Sequence, residues 1–241
     1  MGAGSMITVP ISAGQLFRIH VKVIAALAAA HLALMIIKLT TGHDMLLGIA
    51  EIFRLDWEGN LPTFVSSVAL LLAGLAAYLA GEADDRALRG GWRLAAGCAA
   101  YLAVDEACML HDHLSEILQK LSGESGPLWT IPYLLLAAVV GVVGLPWLRR
   151  LPPVTRNGLL AAGALYVFSA AVLEIAEGAM FRAQDKAAFM DPLFMLLTMM
   201  EEVGEMLAVA FALRVILRHL EVVTGARQRS GRGEATLAPA Y

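Results

Sequence analysis

Six stretches of this chain, near 18–40, 61–80, 91–113, 127–147, 156–181 and 191–215, are each long and apolar enough to cross a bilayer, which takes about 20 residues of helix. That spacing leaves room for little besides one helical bundle and its connections. The composition agrees: 59% of residues are hydrophobic, 16% are charged and the mean hydropathy is +0.68, against roughly 25% charged in an average soluble domain. The expected fold is all-α, a polytopic membrane bundle of about six transmembrane helices forming a single domain over 18–219. The breaks between runs carry ordinary turn chemistry, "TGHD", "EGNLP", "GEADDRALRGG", "SGESGP", "RRLPPVTRNG" and "MDP". The 43–58 stretch is too short and too charged to cross, and it reads as an interfacial helix on the outer side.

Lys and Arg set the orientation. The side holding the N-terminus, the 81–93 and 148–156 loops and the C-terminal tail carries 13 of the 18 basic residues, so the positive-inside rule puts both termini in the cytoplasm. The first run is read as an uncleaved span, since losing it would leave an odd number of crossings and spoil this pattern. Residues 1–17 form an N-terminal tail, whose opening "MGAGS" reads as a cloning remnant without the Ser or Thr of a myristoylation signal. The Arg-rich stretch 220–241 is low in apolar residues and is expected to be a disordered cytoplasmic tail. Its charge suits lipid headgroups, and no nucleic acid is expected as a partner. Cys98 and Cys108 lie ten residues apart on one run, roughly 15 Å along a helix, too far to pair.

Acidic residues sit where this plan puts hydrocarbon. Asp105 and Glu106 lie deep in the third run, Glu174 and Glu177 in the fifth, and Glu201, Glu202 and Glu205 in the sixth; all map to the middle and outer half of the bilayer. At about 100° per residue, the three acids of the sixth run share an arc, Glu174 and Glu177 are i,i+3 neighbours, and Asp105, Glu106, Asp112 and His113 share one broad face from which His111 points away. His31 can add to the set from the first run. An ionised side chain at mid-bilayer costs about 2.5–3.5 kcal/mol, so the seven deep acids would together cost roughly 20 kcal/mol if unpaired. Metal ions, protons or a water-filled cavity must offset that cost.

Carboxylates with one or two imidazoles on facing helices form the ligand set of a di-metal carboxylate site, suited to iron, manganese or zinc. The expected ligands are Asp105, Glu106, Asp112, His113, Glu174, Glu177, Glu201, Glu202, Glu205 and His31. The analogy to di-iron bundles is loose, because Glu-x-x-His is replaced by Glu174-x-x-Glu177 and Glu202-x-x-Glu205. Surrounding acids argue against a haem between the histidines, His20 and His219 are expected at the solvated cytoplasmic interface, and the methionines near the acids are read as core packing. The segments "AVDEACMLHDHL" (Ala103–Leu114) and "EEVGEMLAVAFALRVIL" (Glu201–Leu217) resemble a group of uncharacterised bacterial multi-pass membrane proteins with an "LDE…LHE" helix and a final "EE…EM" helix. Here Val104 stands for the Leu and Asp112 for the second Glu. The resemblance covers two runs and implies a shared site without an assigned activity.

The leading expectation is thus a metal-binding protein of the bacterial inner membrane. Its site would face the periplasmic or extracellular side and serve a metal-dependent oxidoreductase or hydrolase reaction on a lipid-soluble small molecule. No serine-nucleophile or phosphate-loop motif competes with it. One alternative is a proton- or divalent-cation-coupled transporter or channel, although the inner halves of the acid-bearing runs lack acids. Another is a structural subunit binding a cationic partner through the outer side, which holds 16 of the 21 acids.

Overall fold

The computed structural model describes residues 12–43, 48 and 50–236, with backbone alone from 227. Among the described residues the regular structure is entirely helical: α1 (Ala13–Thr41), α2 (Ala50–Phe53), α3 (Leu61–Ala83), α4 (Arg89–Cys108), α5 (Leu110–Ser122), α6 (Thr130–Arg150), α7 (Pro153–Val167), a π segment (Phe168–Leu173), α8 (Glu174–Gln184), a 3₁₀ segment (Asp185–Met190) and α9 (Pro192–Thr236). Four helical stretches are long and apolar enough to cross a membrane: Ala13–Thr41, Leu61–Ala83, Thr130–Arg150 and Pro153–Met190. The other two expected runs fall on α4 with the start of α5, and on α9, where acids together with arginines lower the apolarity.

α9 is the hub of the bundle, packing on α1, α3 and α7, while α3 also packs along α4. Small residues make the α3–α4 approach close: Ala73, Ala76, Ala77 and Ala80 are buried against Trp92, and a Cβ on Gly74 would lie 3.2 Å from the Ala96 carbonyl oxygen. Interfaces of this kind hold apolar helices together by backbone proximity and van der Waals packing. α6 is attached chiefly to α4. There the Trp147 ring lies on Gly91, where a Cβ would come 1.9 Å from the ring, and meets Trp92 edge-on at 5.1 Å. Met206 is fully buried in a second cluster with Ile24, Leu27, Leu55 and Ala210, as expected of methionine used for packing.

Several expectations need correction. α1 begins at Ala13, inside the expected tail 1–17, because Ser12 caps it with a reciprocal Ser12–Gln15 capping box; residues 1–11 lie outside the described residues. Within the segment 43–58, where an interfacial helix was expected, only Ala50–Phe53 is helical among the described residues, and residues 44–47 and 49 lie outside them. Asn60 ties the following loop together by donating its side-chain amide toward the carbonyls of Glu51, Arg54 and Trp57 at 3.2, 2.6 and 2.7 Å. The third run is two helices, because Met109 adopts φ 53°, ψ 42° and starts α5 in a new direction. Of the stretch 220–241, expected to be disordered, residues 220–236 continue α9 and 237–241 lie outside the described residues; a preformed helix extends at far less cost than a new one nucleates.

His219 is buried rather than solvated. Its Nε2 donates to Asp84 Oδ2 at 2.8 Å, leaving Nδ1 to accept from Thr155 Oγ1 at 3.1 Å. Trp92 Nε1 donates to the same Asp84 oxygen at 2.9 Å. Burial acts to raise the Asp84 pKa, but the hydrogen bonds from Trp92, the Asp85 backbone and His219 hold it below the ordinary value. This clasp ties α3, α4, α7 and α9 together at the end of the bundle remote from the acids.

Candidate metal centre

The acids of three runs do meet, around a cavity of about 790 Å³. α4 contributes Asp105 and Glu106, α8 contributes Glu174 and Glu177, and α9 contributes Glu201, Glu202 and Glu205. α5 adds His111, Asp112 and Glu116, and the 54–60 loop adds Asp56 and Glu58. The eleven carboxylates face two permanently cationic side chains, Lys38 and Arg54.

The π segment sits where the chain passes α9. A Cβ on Gly204 would meet Ser169 Oγ at 2.1 Å, so only glycine lets α9 come close enough for its acids to face those of α8. Two groups of side chains then offer ligand atoms that all lie within 4.8 Å of one another: Glu174, Glu177 and Glu201, and Glu58, His111 and Asp112. The first is the more deeply enclosed. Glu177 is 6% exposed; its Oε2 accepts from Thr198 Oγ1 at 2.6 Å, while Oε1 is buried with no hydrogen-bond partner. A buried carboxylate oxygen left without a donor is costly; a cation between these three carboxylates would satisfy it, as would a proton on Glu201, whose carboxyl is within hydrogen-bond reach.

The second group is already partly satisfied. His111 Nε2 lies 3.1 Å from Glu58 Oε1, and Nδ1 lies 3.3 Å from Asp105 Oδ2. Carboxylate oxygens only accept, so the ring fits as a doubly protonated bridge, and an ion bound there must displace a proton. Its face packs on Trp129 at 5.0 Å. Asp105 is also held through Oδ1, to which the His111 backbone N–H donates at 3.0 Å and the Tyr133 hydroxyl at 2.7 Å; Tyr101 in turn donates to Tyr133 at 2.8 Å.

The positions of the expected ligands divide accordingly. Asp105, Glu106, Asp112, Glu174, Glu177, Glu201, Glu202 and Glu205 line the cavity. His113 does not: the turn at Met109 rotates it outward, where it is exposed with Nδ1 2.7 Å from the Met109 carbonyl, and the same rotation brings His111 in. His31 is also outside the cavity lining. It is 3% exposed, and its Nδ1 accepts the Leu55 backbone N–H at 3.0 Å, so it anchors the 54–60 loop. In that loop Arg54 pairs with Asp56 through two hydrogen bonds, of 2.9 and 2.5 Å. Burial works to raise the Asp56 pKa, and Arg54 more than offsets it, holding the carboxyl below its ordinary value.

Glu58, Tyr133, Tyr166 and Thr198 were not foreseen as cavity residues. For Glu58 the visible signal is the "EGN" turn with an Asn cap just before an apolar run; nothing in the sequence alone brings that turn over α5.

The fold and the cavity define a helical protein with four stretches long and apolar enough to cross a membrane and a carboxylate-rich cavity at one end. The chain belongs to the family described as Domain of unknown function (DUF8692), whose model matches residues 22–220, a range that takes in every carboxylate of the cavity. No curated protein and no solved structure matches the chain.

Proposed function

We propose that this is an integral membrane metal-binding protein with six crossings, both termini in the cytoplasm of a bacterium, and a carboxylate centre opening to the periplasmic or extracellular side. The six-crossing reading draws support from α4 and α9, which are 20 and 45 residues long and coincide with the two acid-bearing runs. The orientation is supported by the Lys and Arg distribution. The observation that carries the metal reading is the Glu174–Glu177–Glu201 group with its unpartnered Glu177 oxygen. An all-oxygen donor set favours hard or borderline ions, with iron, manganese and zinc the leading choices. A second ion at Glu58–His111–Asp112 would complete a di-metal centre. Such a centre activates water or dioxygen, with Glu202 or Glu205 available as a general base, which makes a metal-dependent oxidoreductase or hydrolase the matching enzyme class.

The test is elemental analysis of detergent-purified protein together with thermal melts, with and without chelator. The expected result is about one or two equivalents of metal and a stabilisation of about 2.7 kcal/mol at a free concentration a hundredfold above Kd. Glu177→Gln and Glu201→Gln should each lose most of that metal-dependent shift. Protein that holds no metal and melts identically with and without added divalent ions would overturn the reading.

A further inference from the structure

We infer that the cavity, at its end lined by Phe181, Phe189 and Phe194, takes an organic cation, with ammonium groups carried on an apolar chain. The inference rests on the reading of the cavity as a cation-binding site and names the class of molecule that accompanies the metal. Three observations lead to it.

The first is size. A cavity of about 790 Å³ falls within the roughly 300–1,000 Å³ typical of sites for small organic ligands. Two metal ions with a few waters, at about 30 Å³ per water, fill a small part of it. The second is charge. Eleven carboxylates line the space against two permanently cationic side chains, Lys38 and Arg54, so the lining offers far more sites that can accept from or pair with a cation than it has cations of its own. Neutral and anionic molecules gain nothing from such a field; a further cation does.

The third is the rim. Phe181, Phe189 and Phe194 line the cavity and touch in sequence, with ring centroids 5.5 and 5.6 Å apart. Phe189 is 46% exposed, and Trp57 on the 54–60 loop is 43% exposed. Ring faces attract ammonium and guanidinium groups, and Trp57 already seats the Arg54 guanidinium 4.6 Å from its centroid. A hydrated inorganic ion draws little from an aromatic rim, whereas an alkylammonium chain gains from its rings and from the carboxylates below. Phe181 lies one helical turn beyond Glu177 on α8, so the rim and the buried, unpartnered Glu177 oxygen belong to one face of one helix and line the same space.

Spermidine is the probe, with 1,8-octanediol as a neutral chain of similar length, each titrated calorimetrically into zinc-loaded and zinc-free protein. The expected result is binding of spermidine and none of the diol. Phe181→Ala/Phe189→Ala should weaken spermidine by about 5-fold or more while leaving zinc affinity unchanged, which also shows that the variant is folded. Zinc binding without spermidine binding would overturn this inference and leave the metal reading standing. So would spermidine affinity indifferent to loss of the two rings. Spermidine binding without zinc binding would remove the metal and keep the organic cation. Failure of both would remove both.

Discussion

Replacing Gly204 by alanine tests how closely the acid-bearing helices must approach. The new Cβ would lie 2.1 Å from Ser169 Oγ and 3.1 Å from Ser169 Cβ. Comfortable contact is near roughly 3.5 Å, so the hydroxyl must retreat by well over an ångström. Ser169 is 1% exposed, and even with its hydroxyl turned away the Cβ contact at 3.1 Å remains, so α9 must move away from the π segment. Overpacking costs about 1–3 kcal/mol, and a clash as deep as this one falls in the upper half of that range, about 2–3 kcal/mol; alanine recovers about 1 kcal/mol of helix propensity over glycine. The net loss is about 1–2 kcal/mol, or roughly 2–8 °C in Tm at about 2–4 °C per kcal/mol for a chain of this size. Because Glu205 is next to Gly204 and Glu201 lies one turn before it, the metal-dependent part of the melt should shrink as well. Ser169→Ala removes the atom at 2.1 Å and leaves the milder 3.1 Å contact, so in that background Gly204→Ala should become neutral or stabilising. Thermal melts of the four proteins of this double-mutant cycle, read by circular dichroism, settle it: equal destabilisation in both backgrounds, or none in either, would refute the reasoning.

Three further perturbations probe the scaffold. Asp84→Asn weakens a charged acceptor of Trp92 and His219 and should cost about 1.5–3 kcal/mol at neutral pH. Because the folded pKa of Asp84 is lowered, this stabilisation is present above the ordinary value of 3.8 and is lost as pH falls below it through the folded value; denaturation curves should show the gap between wild type and variant narrowing below about pH 4, and a constant gap would contradict the assignment. Tyr133→Phe takes a donor from buried Asp105 and the acceptor from Tyr101 and should cost about 1–3 kcal/mol in Tm-derived stability, more than Tyr101→Phe, which leaves the Tyr133–Asp105 bond in place; the reverse order would refute this. Asn60→Ala should cost about 0.5–2 kcal/mol as a lost cap and raise hydrogen exchange across residues 54–60, where unchanged protection would show that the loop does not depend on Asn60.

Much of the plan was legible in the chain because hydrophobic periodicity is a local property. Long apolar runs dictated helices, and carboxylates placed inside them at i,i+3 and i,i+4 spacing pointed to a common polar centre; Glu174, Glu177 and Glu201 were identifiable on that ground alone. The histidines were not. Phase counting assumes one unbroken helix through residues 91–113, and a single left-handed residue at Met109, with no glycine or proline to announce it, turned His113 out and His111 in. His31 offered the same local appearance as a ligand, yet the 54–60 loop, remote from it in sequence, claims its Nδ1. Glu58 entered the centre only because Asn60 folds that loop over α5, and Ser169 and Gly204 are paired only because two helices cross there. Sequence alone determined where the long apolar helices run and which of them carry acids, since both follow from transfer energies of residues taken one turn at a time. Which of those charges share one cavity, and which histidine stands among them, depended on close approaches between distant segments, and those exist only once the helices have packed.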